Sequence, residues 1–117
     1  MKKPVKETTF QKAAVRVLNR VTGCMAVSYY NGGIFSQRLG VFLSKQSDRP
    51  AGFPDIIGCF HGKAFAIETK TVKGKLSEAQ ALMHSKMNRR GWAVRVCREI
   101  NEVLAFLADI EAGKLGA

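Results

Sequence analysis

The chain has 117 residues, which is enough for one compact domain with one core and too few for two. Hydrophobic residues make up 46% and charged residues 24%, so a globular protein is expected, and no apolar run is long enough to cross a bilayer. The basic N-terminus runs into a polar helical segment instead of an apolar one, which argues against a secretion signal. We therefore predict a single domain over residues 1–117.

The net charge of +10 is large for so short a chain. It favours a polyanionic partner, because basic side chains that contact phosphates release bound counterions. A lysine-rich surface that serves only solubility is the alternative. A membrane-surface role is disfavoured, since no predicted helix sets an aromatic apolar face against a basic one.

The three cysteines, Cys24, Cys59 and Cys97, are odd in number, and no pair has the spacing of a metal site or redox motif. They are predicted to be buried free thiols in a reducing cytoplasm.

The first half of the chain begins with a predicted helix over residues 6–21. Its apolar positions fall on one face: Phe10, Ala13, Ala14, Val17, Leu18 and Val21. A strand is predicted over 24–30 and a second over 34–43, after a turn signal at Asn31-Gly32-Gly33. Residues 44–52 are polar and basic and predict a loop.

The second half predicts a hairpin of strands 55–60 and 64–70, with His61-Gly62 at its tip. A helix follows, with Ser77 as N-cap, Gly91 just past its end, and an apolar face of Ala79, Leu82, Met83 and Met87. A strand over 92–97 comes next, then a helix over 101–111 that turns Val103, Leu104, Leu107 and Ile110 inward. The middle helix can connect parallel strands, so we predict an α/β fold with a mixed β-sheet flanked by helices, in the order α-β-β-β-β-α-β-α.

Three charged residues converge in this arrangement. Asp55 opens one strand of the hairpin, and Glu68 and Lys70 end the other, so antiparallel pairing brings them to the same end of the sheet. Alternation places Glu68 and Lys70 on one face. Each residue alone has an ordinary explanation, a turn residue for Asp55 and solvated strand-end charges for the others; their joint placement favours function.

Two carboxylates and an ammonium group suit the hydrolysis of phosphodiesters. Carboxylate oxygens bind Mg²⁺ and leave positions for water and a phosphate oxygen, and the ion lowers the pKa of that water. A nearby lysine can orient the water, accept its proton or stabilise the transition state, and the sequence leaves these three roles open.

The segments 52–55, 68–70 and 76–80, read as Gly-Phe-Pro-Asp, Glu-Thr-Lys and Leu-Ser-Glu-Ala-Gln, resemble those of VRR-NUC nucleases. These belong to the PD-(D/E)xK superfamily, so the resemblance implies a restriction-endonuclease-like core. It also implies that Asp55 and Glu68 bind Mg²⁺ or Mn²⁺, that the carbonyl of Thr69 adds a ligand, and that Lys70 is the catalytic lysine.

Two further residues have two explanations each. Glu7 matches an acidic residue that the family often carries in its first helix; it is either a third metal ligand or a favourable charge near the helix N-terminus. Gln80 matches a glutamine that contacts the site or the phosphate, and it also suits a capping box with Ser77.

DNA contacts are expected from basic residues on either side of the motif, although a run of charges is usually only a solvated surface. They are predicted to touch phosphates without reading bases: Arg38, Lys45, Arg49, Lys73, Lys75, Lys86, Arg89 and Arg90. His61 is expected in a turn, and His84 on the surface or facing DNA rather than binding metal.

Small stand-alone members of the family, from phages and bacteria, are similar in length to this chain and look like homodimeric Holliday-junction resolvases. The resemblance therefore implies a metal-dependent endonuclease for branched DNA, in a bacterial or phage-infected cytoplasm. An apolar dimer interface within residues 29–43, with Tyr30, Phe35 and Phe42, is one interpretation of that segment, and core packing is the other. The alternatives are a non-catalytic nucleic-acid-binding module, a nuclease that prefers flaps or duplex, and a sequence-specific restriction enzyme.

Overall fold

The computed structural model describes residues 3–28, 34–36, 41–43 and 50–114, with side chains for residues 9–28 and 50–114. The elements, in chain order, are α1 (Lys3–Leu18), β1 (Cys24–Ser28), β2 (Ile34–Ser36), β3 (Val41–Leu43), β4 (Ile56–Phe60), β5 (Lys63–Thr69), α2 (Glu78–Arg89), β6 (Ala93–Cys97) and α3 (Ile100–Glu111). None of the helices in the described ranges is long and apolar enough to span a membrane.

The main sheet has four strands in the order β1-β4-β5-β6. Strand β4 pairs antiparallel with both β1 and β5, whereas β5 and β6 are parallel and are connected through α2. The predicted mixed sheet, the hairpin and the crossover helix are therefore confirmed, and the chain is an α/β protein.

The prediction of one strand over 34–43 is wrong. Strands β2 and β3 pair with each other in a separate two-stranded sheet, with Ile34 opposite Leu43, so five strands precede α2. Apolar alternation alone does not distinguish one long strand from a hairpin of two short ones. The turn signal at residues 31–33 lies outside the described residues.

The core lies between one face of the sheet and the helices α1 and α3. It contains fully buried side chains from α1, from the sheet and from α3, including Leu18, Phe65, Ile67, Val103 and Phe106. The predicted inward face of α1 is partly present: Ala14 and Leu18 are buried and Phe10 and Val21 pack against the core, but Val15 does so in place of Ala13 and Val17. In α3, however, Leu104 is 42% exposed and Phe106 is buried in its place, with its ring edge-on to Phe65 at a centroid distance of 6.0 Å.

Helix α2 covers part of the opposite face and begins with the predicted capping box between Ser77 and Gln80. Gly91 follows its C-cap with a φ of 97°, which suits glycine. The predicted apolar face is only partly present: Met87 is buried and Met83 half-buried, but Leu82 is 72% exposed and Ala79 is exposed, and His84 is buried instead. The helix is turned so that Gln80 and His84, one turn apart, face the sheet.

The cysteines are free, and only one is fully buried. Burial raises the pKa of the Cys97 thiol to about 12, so this thiol is unreactive. Cys59 is exposed, contrary to the prediction. It lies opposite Met25, which is 73% exposed, on a face of β1 and β4 that no helix in the described part of the chain covers.

A close backbone contact fixes the segment before β4 on the first turn of α2. Gly52 has a φ of 79°, and a Cβ atom there would lie 2.3 Å from the carbonyl oxygen of Ala79 and 2.8 Å from the amide nitrogen of Gln80. Only glycine permits both this backbone conformation and this approach. The contact sets the position of Asp55, three residues later, relative to Gln80.

Replacing Gly52 with alanine is expected to destabilise the protein much more than the same change at Gly62. Both glycines have positive φ, but a Cβ at Gly62 meets nothing within 4 Å. Gly62→Ala should therefore cost about 1 kcal/mol of backbone strain, and Gly52→Ala roughly 1–3 kcal/mol more from the clash. Urea unfolding of both variants measures the difference; equal losses would show that the contact with α2 is unimportant.

Candidate active site

The β4–β5 hairpin brings the two predicted acidic residues together. Ile56 pairs with Ile67, and the next position outward in this register sets Asp55 opposite Glu68. Both side chains are buried, with 8% of Asp55 and 2% of Glu68 exposed. Burial of two neighbouring carboxyl groups is costly unless hydrogen bonds or a cation compensate for it.

Asp55 is held by Thr69. Its Oδ2 accepts hydrogen bonds from the backbone N–H of Thr69 at 3.0 Å and from the Thr69 hydroxyl at 2.8 Å. Gln11 of α1 in turn donates to the same hydroxyl oxygen at 3.3 Å. The prediction for Thr69 is that its carbonyl oxygen is a metal ligand. In the structure, its amide and hydroxyl groups orient Asp55.

Gln11 was missed by the sequence analysis. It is only 7% exposed, although it lies on a helix where a polar residue is ordinarily solvated. Nothing in the sequence distinguished it from the other polar residues of α1. Its role depends on the docking of α1 against β5.

Glu68 is contacted from the other side by two residues of α2. Gln80 donates from Nε2 to Oε2 of Glu68 at 3.1 Å, and Gln80 Oε1 accepts from the backbone N–H of Ser77 at 2.9 Å. One side chain thus makes both contacts: its carbonyl end caps the helix, and its amide nitrogen holds the buried carboxyl group of Glu68.

His84 was predicted to lie on the surface or to face DNA, but it is buried beside Glu68. Its Nε2 is 3.5 Å from Oε1 of Glu68, and its side chain is 10% exposed. The sequence did carry a signal, because His84 follows Gln80 by four residues and therefore shares its helical face. The apolar residues Leu82 and Met83 predicted a different inward face.

Burial raises the pKa of Glu68 to about 7, with a further increase from the charge of Asp55; His84 and Lys70 act in the opposite direction. Among the described residues, Oε1 of Glu68 and Nε2 of His84 are buried atoms without a hydrogen-bond partner. A divalent cation beside Oε1 would satisfy this oxygen and offset the repulsion between the two carboxylates, so the donor set fits Mg²⁺ or Mn²⁺.

The protein's own ligands for such an ion would be few. In the part of the chain that the structure describes, no three His, Cys, Asp or Glu side chains are grouped as metal ligands would be. Water and phosphate oxygens would have to complete the coordination, which is the usual situation for Mg²⁺. Glu7, the predicted third acid, lies in α1, but its side chain is outside the described residues.

Lys70 directly follows β5 and is partly buried. Its backbone N–H donates to the carbonyl of Cys97 at 3.1 Å, which extends the pairing of β5 with β6 by one residue. The ammonium group lies close enough to Glu68 to favour the ionised carboxylate. The fold therefore brings Asp55, Glu68 and Lys70 to one end of the sheet.

The basic residues predicted to bind DNA are on the surface wherever they are described. Exposed side chains are found in the loop before α2 and on α2 itself: Lys73, Lys75, Lys86, Arg89 and Arg90. Three others, Arg38, Lys45 and Arg49, lie outside the described residues, as do the side chains of the suggested dimer interface, Tyr30, Phe35 and Phe42.

The fold of the chain is similar to that of a solved structure. No protein-family model and no curated protein matches the chain. A solved structure described as "VRR_NUC domain" matches with a TM-score of 0.60 and 22% sequence identity, over 91% of this chain and 95% of that one.

The four-stranded mixed sheet with helices on both faces is thus a restriction-endonuclease-like α/β fold. More narrowly, the chain has the fold of a VRR_NUC domain, which confirms at the level of the fold the resemblance seen in the sequence.

The stability of the metal-free protein should fall as pH rises. The folded state holds the Glu68 proton more tightly than the unfolded state, whose carboxyl has a pKa near 4.5. Its stabilising contribution is therefore complete below about pH 4.5 and is lost as pH rises through about 7, a change of about 3 kcal/mol. Urea unfolding in a chelator at pH 5 and 8 measures it. Glu68→Gln should remove this part of the pH dependence; an unchanged slope would contradict the assignment.

Replacing Gln80 with glutamate should separate its two roles. A glutamate can still accept from Ser77 and complete the capping box, but it cannot donate to Glu68 and adds a negative charge beside it. Helix content should be retained, while affinity for Mn²⁺, measured by calorimetry, changes. Gln80→Ala, which loses both contacts without adding charge, is the control. Identical metal binding by both variants and the wild type would show that Gln80 acts only as a cap.

Proposed function

We propose that this chain is a Mg²⁺- or Mn²⁺-dependent endodeoxyribonuclease that hydrolyses phosphodiester bonds in branched DNA. The observation that carries the proposal is the buried pair Asp55 and Glu68 with Lys70 at the same end of the sheet. The fold of a VRR_NUC domain and the net charge of +10 support it.

The proposed chemistry assigns one task to each group. Asp55 and Glu68 would hold the ion, with the carbonyl of Thr69 as a further ligand, and the bound ion would activate water and neutralise charge on the phosphate. Thr69 keeps Asp55 in place through its amide and hydroxyl, and Gln80 does the same for Glu68. Lys70, whose charge is close enough to act on Glu68, would stabilise the negative charge that develops on the phosphate.

DNA positioning in this proposal falls to the exposed cations near the site. Lys73 and Lys75 lie three and five residues after Lys70, and Lys86, Arg89 and Arg90 extend along α2. Arg38, Lys45 and Arg49 are proposed to add contacts from the segment before the motif. Contacts of this kind bind the backbone of any sequence, so selectivity would come from the shape of the DNA.

We further propose that the active form is a homodimer that resolves four-way junctions. Two symmetric subunits would set two active sites against the two equivalent strands of a junction, which one subunit cannot do. This part of the proposal follows from the sequence resemblance to small stand-alone nucleases.

A non-catalytic nucleic-acid-binding module is the second candidate. It shares the basic surface and the fold, and it differs in having no use for the acidic pair. The burial of two adjacent carboxyl groups, one without a complete set of hydrogen bonds, favours the enzyme, because a binding module would gain stability by replacing them.

Cleavage assays with Lys70→Ala test the proposal. Substrates would be a four-way junction, a flap, single strands and linear duplex, each with Mg²⁺ and with Mn²⁺. Lys63→Ala is the matched control, since it removes the same charge from the other end of β5, roughly 23 Å away. We expect paired cuts in the junction by the wild type and Lys63→Ala. Lys70→Ala should be slower by roughly 100-fold or more while it still binds DNA.

Other outcomes select among the alternatives. Cutting of flaps or duplex in preference to junctions would keep the nuclease and exclude the resolvase. Salt-dependent binding without cleavage of any substrate would favour the binding module. A mixture of wild-type and Lys70→Ala subunits that makes single nicks in junctions would demonstrate the dimer.

A further inference from the structure

Arg98, just after β6, holds the loop that follows Lys70. Its Nη1 donates to the carbonyl oxygens of Thr71 at 2.7 Å and Gly74 at 2.6 Å, and lies 3.4 Å from that of Val72. Within the loop, the N–H of Gly74 also donates to Thr71 at 3.0 Å. One guanidinium group thus gathers three carbonyls of a four-residue segment.

Arg98 is itself fixed at its base. Its backbone N–H donates to Oε1 of Glu102, in the first turn of α3, at 2.5 Å. The residue before it, Cys97, is fully buried and accepts a hydrogen bond from Lys70. The guanidinium group is therefore attached to the rigid part of the fold, and the loop is attached to the guanidinium group.

This clamp determines what the loop presents to solvent. The negative ends of the three peptide dipoles point toward Arg98, while Val72 is 82% exposed and Lys73 and Lys75 are exposed. A loop with its carbonyls turned inward and its lysines outward suits an anionic polymer. The loop is ordered before any phosphate binds, so less conformational entropy is lost on binding.

The same loop lies against Lys70. A Cβ atom at Gly74 would be 3.3 Å from Cδ and 3.5 Å from Cβ of Lys70, so the backbone of Gly74 packs along the aliphatic part of that side chain. Because Arg98 holds the Gly74 carbonyl, it also limits the positions that Lys70 can adopt.

We propose that Arg98 is a positioning residue that fixes loop 71–75 as a phosphate-binding loop and confines Lys70 on the side of Glu68. The part about DNA rests on the proposed function; the part about the loop stands independently of it. The role of Arg98 has no signal in the sequence, because its partners are backbone carbonyls about 25 positions earlier in the chain.

The first test measures the loop without DNA. Arg98→Ala should raise hydrogen exchange in residues 71–76 and the rate of trypsin cleavage after Lys73 and Lys75 by roughly tenfold or more. Arg98→Lys, which keeps a donor at the same place, should restore part of the protection. Arg95→Ala is the control, since Arg95 pairs with Asp109 and lies over the ring of Phe106, away from this loop. Unchanged protection in Arg98→Ala, or equal loss in Arg95→Ala, would overturn the proposal.

The second test measures catalysis. In single-turnover cleavage, Arg98→Ala should lower the rate constant about tenfold while DNA affinity falls only a few-fold, and Arg98→Lys should recover part of the rate. Gly74→Ala would bring a Cβ atom to 3.2 Å from Oγ1 of Thr71 and 3.3 Å from Cδ of Lys70, while the carbonyls that Arg98 holds remain; it should lower the rate with most of the loop protection retained. Equal rates in all variants would overturn the part concerning Lys70. Lost loop protection in Arg98→Ala, with a wild type that cuts no DNA, would refute the proposed function and leave the role of Arg98 in the loop established.

Discussion

Two carboxyl groups share a buried position at the end of the β4–β5 hairpin, and their mutual repulsion and lost hydration constrain the surrounding structure. Each is held by a separate layer of the fold. Asp55 is attached through Thr69 and Gln11 to the α1 side of the sheet, and Glu68 through Gln80 to the α2 side. One carboxyl group is therefore held from each face of the sheet, and both lie at the same end of the β4–β5 hairpin.

The orientation of α2 shows what this arrangement costs. The helix leaves Leu82 72% exposed and buries His84, the reverse of what apolar burial alone would select. Burying a leucine is worth roughly 1.5–3 kcal/mol, whereas an unsatisfied buried carboxyl oxygen costs about as much or more. The orientation of α2 gives Oε2 of Glu68 its hydrogen bond from Gln80, and the close approach of Gly52 to Ala79 and Gln80 keeps the helix in place.

The charged side chains around the site are separated by sign. The acidic side chains of the site are buried, while the exposed charged groups of the following loop and helix are cationic apart from Glu78. An anionic polymer would thus meet lysines and arginines first and reach the carboxylates only through a cation. The raised pKa of Glu68 belongs to this arrangement, because burial and the neighbouring charge of Asp55 both disfavour the ionised carboxylate.

The sequence by itself determined the α/β class, the hairpin, the crossover helix with its capping box, and the convergence of Asp55, Glu68 and Lys70. These follow from local rules: alternation, turn residues, caps and antiparallel register. It did not determine the division of residues 34–43 into two strands, the inward face of α2, or the parts of Gln11, His84 and Arg98. Tertiary structure decided these. The two short strands pair with each other, and the other features each depend on a partner distant in the chain: Thr69 lies 58 positions from Gln11, and Thr71 lies 27 from Arg98. Hydrophobic periodicity describes which face prefers to be buried, but a buried carboxyl group, which only the assembled fold creates, can outweigh that preference.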